Sequence, residues 1–205
     1  MLIDIERVTN IDELFDNLIS KGENHSDVLD ERIPYWAELW PSALALSIHL
    51  TKLELDWSTF HVHEIGSGLA LPSIVAGKLG AKVTVTDYLP EAVEFAEANW
   101  KRNTDSPAEF RVLDWRVPTG FPKADLILAA DIAYEQRMFN ELPNAFKTLC
   151  KSGGKIFLSE PNRAFAQPFL ERLAETNFKL QNRIQVSQEL FGQQYKINIL
   201  ELQNL

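Results

Sequence analysis

The stretch HEIGSGLALP, residues 63–72, constrains this chain more than any other. The run FHVHEI (60–65) reads as a short strand that ends at Gly66, Gly68 follows, and Pro72–Leu79 reads as a helix that stops at Gly80. Glycines at such a turn let a ligand approach the backbone closely, and the helix start beyond them offers free N–H groups and a positive dipole end. Residues 81–86 alternate in β-branched residues and end at Asp87, 21 residues after Gly66. An acid at that place can accept hydrogen bonds from both hydroxyls of a ribose. The site is therefore expected to bind a group that carries adenosine. A dinucleotide fingerprint needs a third glycine, where this chain has Leu71 followed by Pro72, and no G-K-[ST] occurs. NAD, FAD and a phosphate loop of the Walker type are disfavoured.

The same alternation of strand and helix runs on. A helix is expected over 90–103, a strand over 109–113, a fully covered strand over 125–130 (DLILAA), a helix from about 135 to 149, the strand KIFLS and a helix over about 167–176. The tail alternates Phe178, Leu180, Ile184 and Val186, then Tyr195, Ile197 and Ile199, across a turn at Gly192, which reads as an antiparallel hairpin. Before the glycine motif, residues 11–20 place Ile11, Leu14, Phe15 and Leu18 at helical spacing, and 21–34 read as a loop. Pro41 is placed to open a helix with Leu44, Ile48 and Thr51 inward. The expectation is an α/β fold: a Rossmann-like, doubly wound, seven-stranded and mostly parallel sheet. Five strand–helix units close with the antiparallel hairpin, and helices cover both faces. Residues 1–34 are expected as an acidic N-terminal extension and 35–205 as the functional domain.

Charge narrows the partners. The net charge is -9, and residues 1–32 alone hold nine acids against three bases. Such a chain is a poor counter-ion for nucleic acid, and a basic protein partner suits it better. No apolar run approaches the roughly 20 residues of a membrane helix. One cysteine, Cys150, cannot form an internal disulfide, and the opening MLIDIERV lacks a basic leader, so a cytoplasmic setting is expected.

Taken together, the strand with Glu64, the turn Gly66-Ser67-Gly68, Asp87 and the terminal hairpin resemble the class I S-adenosylmethionine-dependent methyltransferases. PYWAELWPSALALS (34–47) and the D-x-x-Y spacing of Asp131 and Tyr134 within AADIAYE are similar to the seven-β-strand protein-lysine methyltransferases, and the first of these segments closely resembles the branch acting on the β-subunit of electron-transfer flavoprotein. SEPNR (159–163) stands where that branch has a D-P-G-R-like stretch, with Glu for Asp and Asn for Gly. The resemblance implies S-adenosylmethionine as cofactor. It implies contacts from Trp40, Glu64, Gly66, Ser67, Gly68, Asp87, Asp114, Trp115 and Ala130, with Asp114 and Trp115 at the adenine. It places Asp131 and Tyr134 at the methyl acceptor, and Tyr35 and Trp36 along the acceptor channel or in the core.

The resemblance implies N-methylation of a lysine on a protein. Methylation of a small amine or heterocycle, or cofactor binding without turnover, are the alternatives. The alternative for Asp131 is the cap of a helix starting near Tyr134. His61 and His63 share one strand face, but no third ligand lies near them in sequence, so no metal is expected. Cys150 has no histidine nearby and reads as an inert thiol.

Overall fold

The computed structural model describes residues 1–133, 139–161 and 166–205. Seven strands form one sheet: β1 (His61–Ile65), β2 (Lys82–Asp87), β3 (Ala108–Val112), β4 (Ala124–Ala130), β5 (Cys150–Glu160), β6 (Phe178–Leu190) and β7 (Gln193–Asn204). Their order is β3-β2-β1-β4-β5-β7-β6. The pairs from β3 to β5 are parallel, and β7 lies antiparallel to both β5 and β6. The strand order reverses between β1 and β4, which opens a crevice at the carboxyl ends of the strands, where ligands bind in open α/β sheets.

The helices are α1 (Ile11–Ser20), α2 (Ser26–Leu29), α3 (Pro41–Leu50), α4 (Leu71–Lys78), α5 (Pro90–Asn103), α6 (Glu141–Leu149) and α7 (Ala166–Ala174). In β4, Leu126 and Leu128 join the core beneath α3, α4 and α5, while Ile127 and Ala129 join the core beneath α6 and α7. The period-2 geometry of a strand sends successive side chains to opposite faces, so a strand covered on both faces must be apolar throughout.

Four expectations are corrected. The loop expected over 21–34 contains the one-turn helix α2, capped by Nδ1 of His25, which accepts from the Asp27 amide at 3.1 Å. In α3 the inward face is Ser42, Ala45, Leu46 and Leu50, whereas Ile48 is exposed and Leu44 only half-buried. Small residues let α3 lie close to the sheet, where Ser159 Oγ of β5 donates to the Ser42 carbonyl at 2.9 Å. No helix joins β3 to β4; residues 113–123 cross as turns, so one of the five expected units lacks its helix. β5 begins at Cys150, before Gly153 and Gly154, with a register shift against β4 between Ala124 and Leu126.

The acidic N-terminal stretch packs on the domain. Ile3 and Ile5 lie against the core beneath α5. The Asp4 and Glu6 amides donate to Oδ1 of Asn103 and Asn99, each at 2.8 Å, and the two asparagine side chains donate back to the carbonyls of Asp4 and Glu6. Two asparagines one helical turn apart thus pair with an extended segment as a neighbouring strand would. Among the described residues no helix is long and apolar enough to cross a membrane.

Candidate active site

A cavity of about 440 Å3 occupies the crevice. The turn after β1 forms its floor. Gly66 and Gly68 adopt φ of +62° and +49°, in the left-handed region that favours glycine. A Cβ on Gly66 would sit 2.7 Å from Ile132 Cγ2 and 3.2 Å from Trp115 Cζ2; one on Gly68 would sit 3.2 Å from the Trp36 carbonyl oxygen. These close neighbours and the left-handed backbone disfavour a side chain at either position.

Asp87 closes β2. Its Oδ2 accepts the Gly68 amide at 2.9 Å and its Oδ1 the Leu89 amide at 3.3 Å. Each oxygen keeps a lone pair for a further donor. Burial raises the Asp87 carboxyl above the usual range, against the pull of those amides. Trp115, after β3, borders the cavity with a buried Nε1 that has no partner, and the buried Ser67 Oγ is likewise unpartnered.

Trp40, the N-cap residue of α3, donates Nε1 to the Tyr35 carbonyl at 2.8 Å, and Trp36 packs on Phe95 with ring centroids 5.2 Å apart. These aromatics, with Ser67, Asp114, Ala130 and Asp131, all border the cavity. Asp131 follows β4 with φ +56°, is only 7% exposed, and donates its amide to the Ser159 carbonyl at 2.8 Å. Ser42 Oγ donates to its Oδ2 at 3.5 Å. The next described helix, α6, has Asn140 as its N-cap, and the helix start expected near Tyr134 lies outside the described residues. Tyr134, Asn162 and Arg163 lie outside the described residues.

Glu64 does not border the cavity. Its carboxyl is buried beneath the turn, where Oε2 accepts the Ser73 amide at the start of α4 at 3.0 Å and Oε1 has no partner. Burial pushes it up to about 8, the Ser73 bonds opposing and Asp87 adding. Its place is under the glycine turn, where it holds α4. His61 and His63 point at Thr84 and Thr86 of β2, at 2.9 and 3.1 Å, and among the described residues no cluster of His, Cys, Asp and Glu is placed to hold a metal ion.

The sequence reading missed a polar cluster on the cavity rim. Arg116 donates Nε to both oxygens of Asp114 (2.9 and 3.0 Å), Nη1 to Asp30 (2.9 Å) and Nη2 to the Tyr88 hydroxyl (2.7 Å); Tyr88 in turn donates to Asp30. Burial would raise Asp114, yet Arg116 holds it below the usual carboxylate range. The expected adenine acceptor is thus already engaged, and any exocyclic amine must share it. The only sequence signal was the adjacency of Asp114 and Arg116; Asp30 lies 84 residues away from Asp114 in the chain and no local pattern joins them.

A family model described as lysine methyltransferase matches residues 34–178. That stretch holds the glycine turn, Asp87, the third-strand tryptophan and Asp131.

The chain belongs to the lysine methyltransferase family.

Among its relatives, the protein-lysine methyltransferase METTL21E of Bos taurus is 41% identical over 129 residues, which cover 57% of this chain and 44% of that protein. The EEF1A lysine methyltransferase 3 of Mus musculus is 33% identical over 156 residues, covering 73% of this chain and 67% of that protein. The match thus spans under half the length of the first relative and about two thirds of the second. In fold, the chain is similar to the N-methyltransferase NodS from Bradyrhizobium japonicum WM9, solved with S-adenosyl-L-homocysteine, with a TM-score of 0.67 at 16% identity over 95% of this chain and 98% of that one.

Proposed function

We propose that this chain transfers a methyl group from S-adenosylmethionine to a lysine side chain of a protein. The observation that carries the reading is the placement of a buried carboxylate, Asp131, on the wall of a nucleoside-sized cavity whose floor is a glycine turn. The residues present suit the cofactor. Asp87 offers two oxygens to a ribose, Trp115 offers an indole to adenine, and Gly66 and Gly68 leave room for the chain between them. When bound, S-adenosylmethionine supplies a sulfonium methyl for in-line displacement. Trp36, Tyr35 and Trp40 exclude water and fix the approach. A lysine amine has an ordinary pKa of about 10.4 and must lose its proton; desolvation between aromatic walls lowers that value. Asp131 orients the amine and accepts the proton directly or through water, with Tyr134 proposed beside it. Glu64 is a positioning residue that holds the turn and α4 in register.

In this reading residues 35–205 are the catalytic domain and 1–34 its acidic extension, which favours a basic protein partner over nucleic acid or a membrane. Cytoplasmic residence agrees with a lone buried Cys150 whose thiol burial pushes up to about 11. The test is incubation with methyl-tritiated cofactor and lysate, with eukaryotic elongation factor 1A and the β-subunit of electron-transfer flavoprotein as separate acceptors. Label in N-methyl-lysine is expected. Label only in small amines, or cofactor binding with no label, would replace lysine methylation by one of the two alternatives.

A further inference from the structure

Beside the first cavity lies a second, of about 280 Å3, which shares Glu38, Leu39, Trp40 and Asp131 with it. The two ends of the chain build its outer wall. The segment paired to Asn99 and Asn103 delivers Arg7, whose guanidinium lies 4.5 Å from the centroid of the Phe191 ring. Phe191 sits at the tip of the β6–β7 hairpin, and Tyr195 follows on β7; both border the cavity.

The tip is chemically odd. Leu190 pairs with Gln193, so Phe191 and Gly192 are the two central turn residues, with φ of +51° and +77°. A turn with both angles positive favours Asn-Gly or Asp-Gly. A bulky residue there is strained, and strain of this kind concentrates at functional sites. Phe191 is nevertheless 67% exposed, so burial does not offset the strain. Its ring faces Arg7 and the cavity.

We propose that Phe191, held by Arg7, forms with Tyr195 the outer wall of the passage by which a protein's lysine reaches Asp131, and that Phe191 selects an apolar residue beside that lysine. This rests on the lysine-methylation reading above. At the inner end the charges agree: the wall shared by the two cavities carries the carboxylates of Glu38 and Asp131, and the rings of Trp40 and Tyr195 tolerate an ammonium or its methylated product, while Arg7 already occupies a face of Phe191 and leaves that ring to apolar contact. An exposed aromatic at the mouth of such a passage suits an apolar neighbour on the entering chain.

The test uses calorimetry with three probes: S-adenosylhomocysteine, and two aza-analogues of the cofactor whose nitrogen is joined by a two-carbon linker to the lysine Nε of acetyl-Leu-Lys-Leu-amide or acetyl-Gly-Lys-Gly-amide. Wild type should bind the leucine conjugate at least 10-fold more tightly than the glycine one. Phe191→Asn suits the turn and should melt at or above the wild-type temperature. It should keep its affinity for S-adenosylhomocysteine, which shows that it is folded, and lose the leucine preference. Equal binding of the two conjugates by wild type, or a preference that survives in Phe191→Asn, would overturn the proposal. A lower melting temperature with the preference intact would likewise make Phe191 a mere clamp for Arg7. Failure of wild type to bind S-adenosylhomocysteine, or of lysine to take up label, would instead sink the reading on which the proposal rests.

Discussion

The Gly68 amide donates to Oδ2 of Asp87 at 2.9 Å, so the glycine turn of β1 and the acid of β2 are one hydrogen-bonded unit. Asp87→Asn would set an amide NH2 against one of the two backbone donors, Gly68 or Leu89, and remove the charge. Loss of a charged acceptor costs about 1.5–3 kcal/mol, so S-adenosylmethionine affinity should fall roughly 10- to 100-fold, as calorimetry would read. Burial holds the Asp87 carboxyl up in the free protein, whereas ribose hydroxyls favour its ionised form. Affinity of the wild type should therefore weaken as pH falls through that raised value. A profile that stays flat as pH falls to the ordinary carboxylate range, with an unchanged Asn variant, would remove Asp87 from the ribose site.

Glu64 gives a stability signature with a definite sign. Its carboxyl is raised from 4.5 to about 8 in the folded protein. The folded state thus holds a proton that the unfolded state has released, so stability is full below about pH 4.5 and declines as pH rises toward 8. Glu64→Gln keeps an acceptor for the Ser73 amide and cannot ionise. The melting temperature of wild type minus that of the variant should drop by several degrees between pH 5 and 8. A constant difference would mean that Glu64 is ionised in the fold.

Much of this architecture was legible because it repeats short-range signals. Helices over 11–20 and 90–103 and the hairpin about Gly192 carry their period and their punctuation in the local sequence. The inward face of α3 did not, because Ser42, Ala45 and Ser47 are chosen for close approach to the sheet and not for hydrophobicity. At the site, Gly66, Gly68, Asp87, Trp115 and Asp131 stood at strand ends, where topology gathers them. Glu64 also ended near a strand terminus, but its side chain points under the turn, and strand parity alone does not say which face a ligand will occupy. The Asp30–Tyr88–Arg116 cluster and the meeting of Arg7 with Phe191 join distant parts of the chain, so no spacing rule reaches them.

Gly66→Ala should be costly even before any ligand binds. It forces an alanine to φ +62° and places its Cβ 2.7 Å from Ile132 Cγ2. Left-handed strain of this kind costs on the order of 1–3 kcal/mol, which in a chain of this size lowers the melting temperature by roughly 2–4 °C per kcal/mol. Ile132 borders the cavity, so displacing it should lower cofactor affinity as well. An alanine variant with wild-type melting and wild-type affinity would show that the turn relaxes freely.

Arg116→Met tests the rim cluster. The ion pairs are partly exposed and exposed pairs contribute little to stability, typically under about 1 kcal/mol. The melting temperature should hardly move. The segment around Asp30, however, loses its tie to Arg116, so amide hydrogen exchange at residues 30–33 should quicken. Unchanged exchange at those amides would show that Tyr88 alone anchors the segment.

Asp131 is the last and most consequential case. A carboxylate at φ +56°, nearly buried, at the end of the most apolar strand, adds nothing to the core, and the Asn variant separates a base from a helix cap, because Asn caps about as well as Asp. Asp131→Asn preserves shape and the Ser42 contact but cannot take a proton or match the charge of an ammonium. Turnover should fall by roughly 10²-fold or more, the scale of a positioned acid–base group, while calorimetric affinity for S-adenosylmethionine and the melting temperature stay near wild type. Raising the pH should restore part of the rate, because more of the lysine then arrives neutral. The rate of the wild type should rise less steeply over the same range, since its carboxylate already removes the proton. If the Asn variant methylates at the wild-type rate, Asp131 only shapes the wall between the two cavities, and the base must be sought among the other groups that border the passage, Glu38 first.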